Sequence, residues 1–211
     1  MCIRDSSGVA WVMYSPSGDI FHVDVNNANA CSDPGYTPGQ NNFTLFGMAF
    51  ASNSATDQCD RLYAHSFSGS ILGFSEGANS GRLGRVDSAT SFPAILGAID
   101  YDGGELTGTG DGRLFAFAGT NPAKLIEYDK TNAAELQTIP LNGLELTNAF
   151  AFAFWGGDFY FFTESSPLGT NSKVTRLDFD GDMSLQDVNL NAPIRVVGAG
   201  VSTCAPFVPP D

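Results

Sequence analysis

The sequence predicts an all-β protein, specifically a β-propeller of four-stranded antiparallel blades with about four blade units present. Three observations predict it. A motif of one aliphatic residue, two further residues, an apolar residue and Asp recurs four times along the 211 residues. A hairpin at 148–164 alternates Ala with Phe and turns at Gly156-Gly157, so its aromatics share one face of a strand and the glycines supply the positive φ of a tight turn. No stretch of useful length has the 3.6-residue apolar period of a helix.

The four copies of the motif are Ile20-Phe21-His22-Val23-Asp24, Leu83-Gly84-Arg85-Val86-Asp87, Leu125-Ile126-Glu127-Tyr128-Asp129 and Val174-Thr175-Arg176-Leu177-Asp178. Each reads as a strand whose Asp opens a polar turn, where the carboxylate can accept backbone N–H bonds. A second strand precedes each copy, at 10–14, 61–66, 113–118 and 158–163. A further, innermost strand precedes three of those, at 46–51, 105–109 and 149–154. A weaker fourth strand follows each Asp turn, at 30–37, 91–98, 135–141 and 186–190. The result is four antiparallel strands in ~40 to 50 residues, the period of a propeller blade.

The ends differ from this pattern. Residues 1–7 lack the apolar core of a signal peptide and resemble a translated sequencing-adapter scar, so they are set aside as a non-native leader. The repeats then occupy 8–202 and a Pro-rich tail occupies 203–211. The first unit is expected to lack its innermost strand. The stretch 194–202 is expected to be an innermost strand with no unit after it, either closing a four-bladed ring or belonging to a larger one.

Composition narrows the function classes. Hydrophobic residues make up 43% of the chain, enough for a core. The 23 acidic against 10 basic residues give a net charge of −13, which repels phosphate backbones and anionic lipid, so no nucleic-acid partner is expected. No apolar run approaches the ~20 residues of a membrane span.

Three stretches carry a family resemblance: Glu105-Leu-Thr-Gly-Thr-Gly-Asp-Gly-Arg-Leu-Phe115, Ala151-Phe-Ala-Phe-Trp-Gly-Gly-Asp-Phe-Tyr160 and Val197-Gly-Ala-Gly-Val-Ser-Thr-Cys-Ala-Pro206. Together they resemble uncharacterised exported β-propeller-like proteins of myxobacteria and related bacteria. The resemblance implies a propeller in an extracellular or cell-envelope setting, with sequence upstream of the segment that matches Ala10. It brings no catalytic residues.

Four groups of residues are candidates for function. Asp178, Asp180 and Asp182, with Asp187 beyond, place carboxylates on alternate positions of a turn, the pattern that supplies oxygen ligands to Ca²⁺. No Glu closes the loop and no helix flanks it, so the plain reading is a solvated turn. Cys31 and Cys59, 28 residues apart, are the expected disulfide of an exported protein, with Cys31–Cys204 as rival and three free thiols of a cytosolic protein as the plain reading. Such a bridge would contribute roughly 3 to 4 kcal/mol in the chain-entropy picture. Trp155 and Tyr160 are candidate ligand contacts at an axial mouth, against the plain reading of core aromatics. His22 and His65, the only histidines, sit on predicted strands with no partner at metal spacing and no nucleophile elbow nearby.

Two function classes stand on these residues. One is a binding or scaffold module presenting one end of the ring to a protein or glycan. The other is a propeller hydrolase or lyase acting on lactones or glycans with Ca²⁺ assistance, which needs carboxylates from several units at the axis. Glu105 and Asp111 are the only obvious contributors near an innermost strand, which favours the binding module.

Overall fold

The computed structural model describes residues 2–4, 8–68, 74–166 and 169–208, of which residues 2–4 and 28–29 are described by backbone alone. Sixteen strands form four antiparallel sheets of four, each in plain sequence order. Blade 1 is β1 (Cys2–Arg4), β2 (Val9–Tyr14), β3 (Asp19–Asp24) and β4 (Asn27–Ser32). Blade 2 is β5 (Leu45–Ser54), β6 (Asp57–Phe67), β7 (Ser75–Asp87) and β8 (Phe92–Asp102). Blade 3 is β9 (Glu105–Gly108), β10 (Leu114–Ala118), β11 (Lys124–Tyr128) and β12 (Glu135–Pro140). Blade 4 is β13 (Phe150–Trp155), β14 (Asp158–Glu164), β15 (Ser172–Leu177) and β16 (Leu185–Ala192). The innermost strands neighbour one another in turn, β1 against β5, β5 against β9 and β9 against β13. The four sheets form a ring, a four-bladed β-propeller. A single 3₁₀ turn, Gln40–Asn42, is the only helical element among the described residues.

The recurring Asp closes the third strand of every blade, as its sequence position requires. Asp24 Oδ1 accepts the Asn26 amide, Asp87 Oδ1 those of Ala89 and Thr90, and Asp129 Oδ1 that of Thr131. These are side-chain turns that stop the strand and start the next. Asp178 differs from the set: its Oδ1 accepts from Arg176, and its Oδ2 takes the turn amide of Asp182 at 3.5 Å. The hairpin of blade 4 is as expected: Gly156 and Gly157 have φ of 63° and 91°, and Phe152 faces Phe161 across the ladder.

Two expectations about the ends are corrected. The first unit does not lack its innermost strand: the backbone of Cys2–Arg4, inside the segment set aside as a leader, pairs antiparallel with Val12 to Ala10. The stretch 194–202 forms no strand. With β1 already paired to β2, that edge is filled, and the tail runs past blade 4 instead. The Val196 amide donates to Ser172 Oγ near one end of the ring, Thr203 Oγ1 donates to Asp60 near the other, and the Gly156 amide donates to Pro206 O.

The core lies between blades. Strand pleating sends alternate side chains to the two neighbours. From β10, Phe115 and Phe117 point to blade 4 while Ala116 and Ala118 point to blade 2. Blades 1 and 2 meet through Trp11, Ile20, Phe46, Met48 and Leu62. Blades 2 and 3 meet through Tyr63, Leu83, Leu106, Ile126 and Tyr128, packed on alanines. Blades 3 and 4 meet through an aromatic set in which Phe117 and Phe161 centroids lie 4.7 Å apart and Phe115 and Phe159 4.8 Å apart. Each buried Phe contributes on the order of 2 kcal/mol by removal from water.

Candidate functional site

At one end of the ring the innermost strands begin around an opening of about 650 Å³. Phe46 comes from β5, Phe67 from the end of β6, Phe74 from just before β7, Glu105 from β9, Phe150 from β13, and Val12 from blade 1. Arg195 and Val197 from the tail complete the wall. All four blades therefore meet at this mouth. The chain places the aromatics there by a local device: Gly103 has φ +84°, and a Cβ on it would run into the rings of Phe67 and Phe74. Phe74 then packs edge-on against Phe150 at 5.1 Å and stacks with Phe67 at 6.3 Å.

Two charged side chains border this apolar wall, and their states differ. Arg195 is held by Glu164, its Nε 2.9 Å and a terminal nitrogen 2.8 Å from Oε1. Glu164 Oε2 also accepts the Asn148 amide. Glu105 has no such partner: its Oε2 is buried with no hydrogen bond. Burial therefore pushes the Glu105 carboxyl up to about 8, so the neutral acid prevails at pH 7.

Behind this wall lies a second polar group, His65, which is fully buried on β6. Its Nδ1 accepts the Gly104 amide at 3.2 Å, and burial pulls its pKa down to about 4. Ser66 and Asp102 stand beside it, which brings Ser, His and Asp together in space. The hydrogen bonds run the wrong way for nucleophilic catalysis. Ser66 Oγ donates to Asp102 at 2.8 Å and accepts the Arg82 amide, so no proton path leads from the hydroxyl to the imidazole. Asp102 also accepts from the Ser68 amide and hydroxyl. This group ties blade 2 to the start of blade 3.

The expected carboxylate cluster is rearranged. Asp178 and Asp180 do converge, but the third carboxylate is Asp158 rather than Asp182, with ligand atoms within 4.8 Å of one another. Asp182 instead caps the turn by accepting the Ser184 amide. Asp187 pairs with Lys173 and Thr175. Asp158 was hidden from the sequence pattern because it lies on β14, across the ladder from β15. A cation is already in place: Arg176 donates to Asp158 at 2.6 Å and to Asp178 at 3.0 Å, and Asp158 also accepts the Phe179 amide. Two of the three carboxylates are thus committed to protein partners, and the group fits Ca²⁺ poorly.

The expected disulfide is also corrected. Cys31, Cys59 and Cys204 are free and exposed. Cys31 lies on β4, the outermost strand of blade 1, while Cys59 lies on β6, the second strand of blade 2. Blades place these strands at different distances from the axis, so spacing along the chain does not become proximity. Cys59 sits beside Asp57, whose carboxylate raises the thiol pKa by hydrogen bond and charge.

Trp155 and Tyr160 contact each other, with centroids 6.5 Å apart. Trp155 lies at the far end of β13 from the Phe150 mouth and Tyr160 lies on β14 opposite Ala153, both on the face turned away from blade 3. Sequence reasoning singled out Glu105 but missed Phe67, Phe74 and Arg195. The glycine pair Gly103-Gly104 directly before β9 was the available signal for close packing there.

No protein-family model matches the chain, and no curated protein matches it. Among solved structures it is similar to TolB from Acinetobacter baumannii, at 14% identity and a TM-score of 0.49. That alignment covers 89% of this chain and 42% of the TolB chain, so the chain spans less than half the length of the structure it matches. No helix among the described residues is long and apolar enough to cross a membrane.

Proposed function

We propose that this propeller is a binding module of the extracellular space or cell envelope, and that it takes a protein or glycan ligand at the axial mouth. The observation that carries this reading is the mouth itself. Four blades and the tail converge on one concave, largely apolar wall, the form in which ligand sites most often occur. The wall's chemistry suits recognition: apolar rings for contact area, and two polar groups to orient what enters. The exported setting rests on the resemblance described above.

The test is a titration of envelope glycans and short apolar peptides against three proteins: the parent, Phe74→Ser at the mouth, and Trp155→Ala at the opposite end. The expected result is a ligand whose affinity falls roughly tenfold or more in Phe74→Ser, as loss of an aromatic anchor does, and holds in Trp155→Ala. Binding that survives Phe74→Ser but is lost in Trp155→Ala would move the site to the other end of the ring and overturn this reading.

A further inference from the structure

The mouth contains a group that neither its packing nor the blade architecture explains. Glu105 opens the innermost strand of blade 3 and lines the opening, yet its Oε2 is buried with no hydrogen-bond partner. A carboxyl in that position is unfavourable to fold around, since a buried polar group without a partner has lost water and gained nothing. The same opening is lined by Phe46, Phe67, Phe74 and Phe150. Ring faces attract cations, so an opening lined by rings and an acid suits one.

We infer that the mouth is an ammonium site: it takes a primary amine carried on an apolar stem, with Phe67, Phe74 and Phe150 around the stem and Glu105 as counter-ion. This rests on the reading of the mouth as the binding site and adds the chemical class of the ligand. The other charged groups near the mouth are compatible with it. Arg195 is already neutralised by Glu164, so it neither repels the amine strongly nor satisfies Glu105. His65, behind Gly104, is neutral at pH 7 because burial holds its pKa near 4. The net charge of −13 also steers cations toward the protein.

The proton balance gives the inference its signature. Free Glu105 is the neutral acid at pH 7. When an ammonium binds beside it, the carboxylate form is favoured, so the acid's proton leaves to solvent and an ammonium–carboxylate pair remains. With a starting pKa of about 8, close to one proton is released per amine bound at pH 7.

The experiment is calorimetry on the whole chain at pH 7 with 2-phenylethylamine, 2-phenylethanol and 3-phenylpropionate, each in phosphate and in Tris. The amine is expected to bind at least about tenfold more tightly than the alcohol, as a charge-assisted contact does. Its heat should differ between the buffers by the amount that nearly one released proton produces. Glu105→Gln should abolish the proton release and most of the preference while melting no lower than the parent, which shows that it folds. Equal binding of amine and alcohol without proton release would overturn the ammonium site and leave the apolar mouth standing. Tighter binding of the carboxylate than of the amine would overturn it in favour of an Arg195-directed site. Proton release that persists in Glu105→Gln would assign the proton to another group, and also overturns it. No binding of any of the three overturns it, while Phe74→Ser tests the mouth separately.

Discussion

The junction between blades 3 and 4 and the junction between blades 4 and 1 share the strands of blade 4, yet they differ in kind. On the blade 3 side, β13 and β14 present Phe152, Phe154, Phe159 and Phe161, each no more than 4% exposed. On the other side the same strands present Ala151, which is buried, Ala153, Tyr160 and Phe162, which are half-buried, and Trp155, which is 39% exposed. Blade 1 answers with Val12, Phe21 and Val23, half-buried, and Tyr14, 52% exposed. Among the described residues, three junctions carry a hydrophobic cluster and the fourth does not. The difference shows how one strand serves two neighbours unequally: alternation puts Phe on one face and Ala on the other, and the Ala face can bury less. Among the described residues, blades 2 and 3 carry a cluster on both sides, and blades 1 and 4 on one.

The largest expected effect follows directly. Phe152→Ala removes a fully buried ring from the sealed junction and should destabilise the fold by ~3 to 5 kcal/mol in a denaturant titration. Phe162→Ala, its neighbour's counterpart on the thin face, should cost about 1 kcal/mol or less. Equal losses would mean that the fourth junction is packed as tightly as the third.

The second effect depends on pH. Glu105 has a folded pKa raised to about 8 against an unfolded value near ~4.3, so the folded state holds its proton where the unfolded state has lost it. Stability from this group is full below the unfolded pKa and falls as pH rises, until both states are ionised above about 8. His65 has the opposite sign: its folded pKa is lowered to about 4, so stability falls as pH drops from ~6.5 toward that value. Between pH 6.5 and 8 the Glu105 slope is separated from the His65 one. Thermal melts should show a decline across that window that Glu105→Gln abolishes, with the variant's relative gain by pH 8 on the order of 2 to 4 kcal/mol. A decline identical in both proteins would assign it to other groups.

The strands, their order and the Asp turns were legible in the sequence because they are set by local pattern: alternation, turn residues and the recurring carboxylate. Asp24, Asp87 and Asp129 act as read. What was not legible depends on where units sit in the ring. Cys31 and Cys59 have a spacing that suits a bridge, but their strands lie at different depths of different blades. Asp182 belongs to the alternating acidic run, yet Asp158 from the neighbouring strand takes its place beside Asp178, because antiparallel pairing brings β14 to β15. Phe67, Phe74 and Arg195 meet Glu105 from separate segments, and no pattern along the chain joins them. The stretch 194–202 reads as a strand by composition, but the edge it was expected to fill is occupied by Cys2–Arg4.

The smallest expected effects sit on the thin side of blade 4. Arg176 already bridges Asp158 and Asp178, so 2 mM Ca²⁺ should stabilise the parent by well under the ~1.4 kcal/mol that a 0.2 mM site would give. The parent and Asp180→Asn should then give indistinguishable heats in calorimetry; a saturable heat seen only in the parent would restore the metal. Reduction should likewise leave the intact mass and the melting temperature unchanged, since Cys31 and Cys59 are free.

Hydrogen exchange followed by mass spectrometry tests the inequality of the junctions most directly. Local opening is resisted where both faces of a strand are buried and backbone bonds are shielded. Strands β6 and β10, central in the doubly sealed blades, should exchange only with global unfolding, at rates at least about tenfold below those of β3 and β15 in blades 1 and 4, a difference of ~1.4 kcal/mol. Equal protection across all four blades would contradict the account, because the fourth junction would then hold its strands as firmly as the other three.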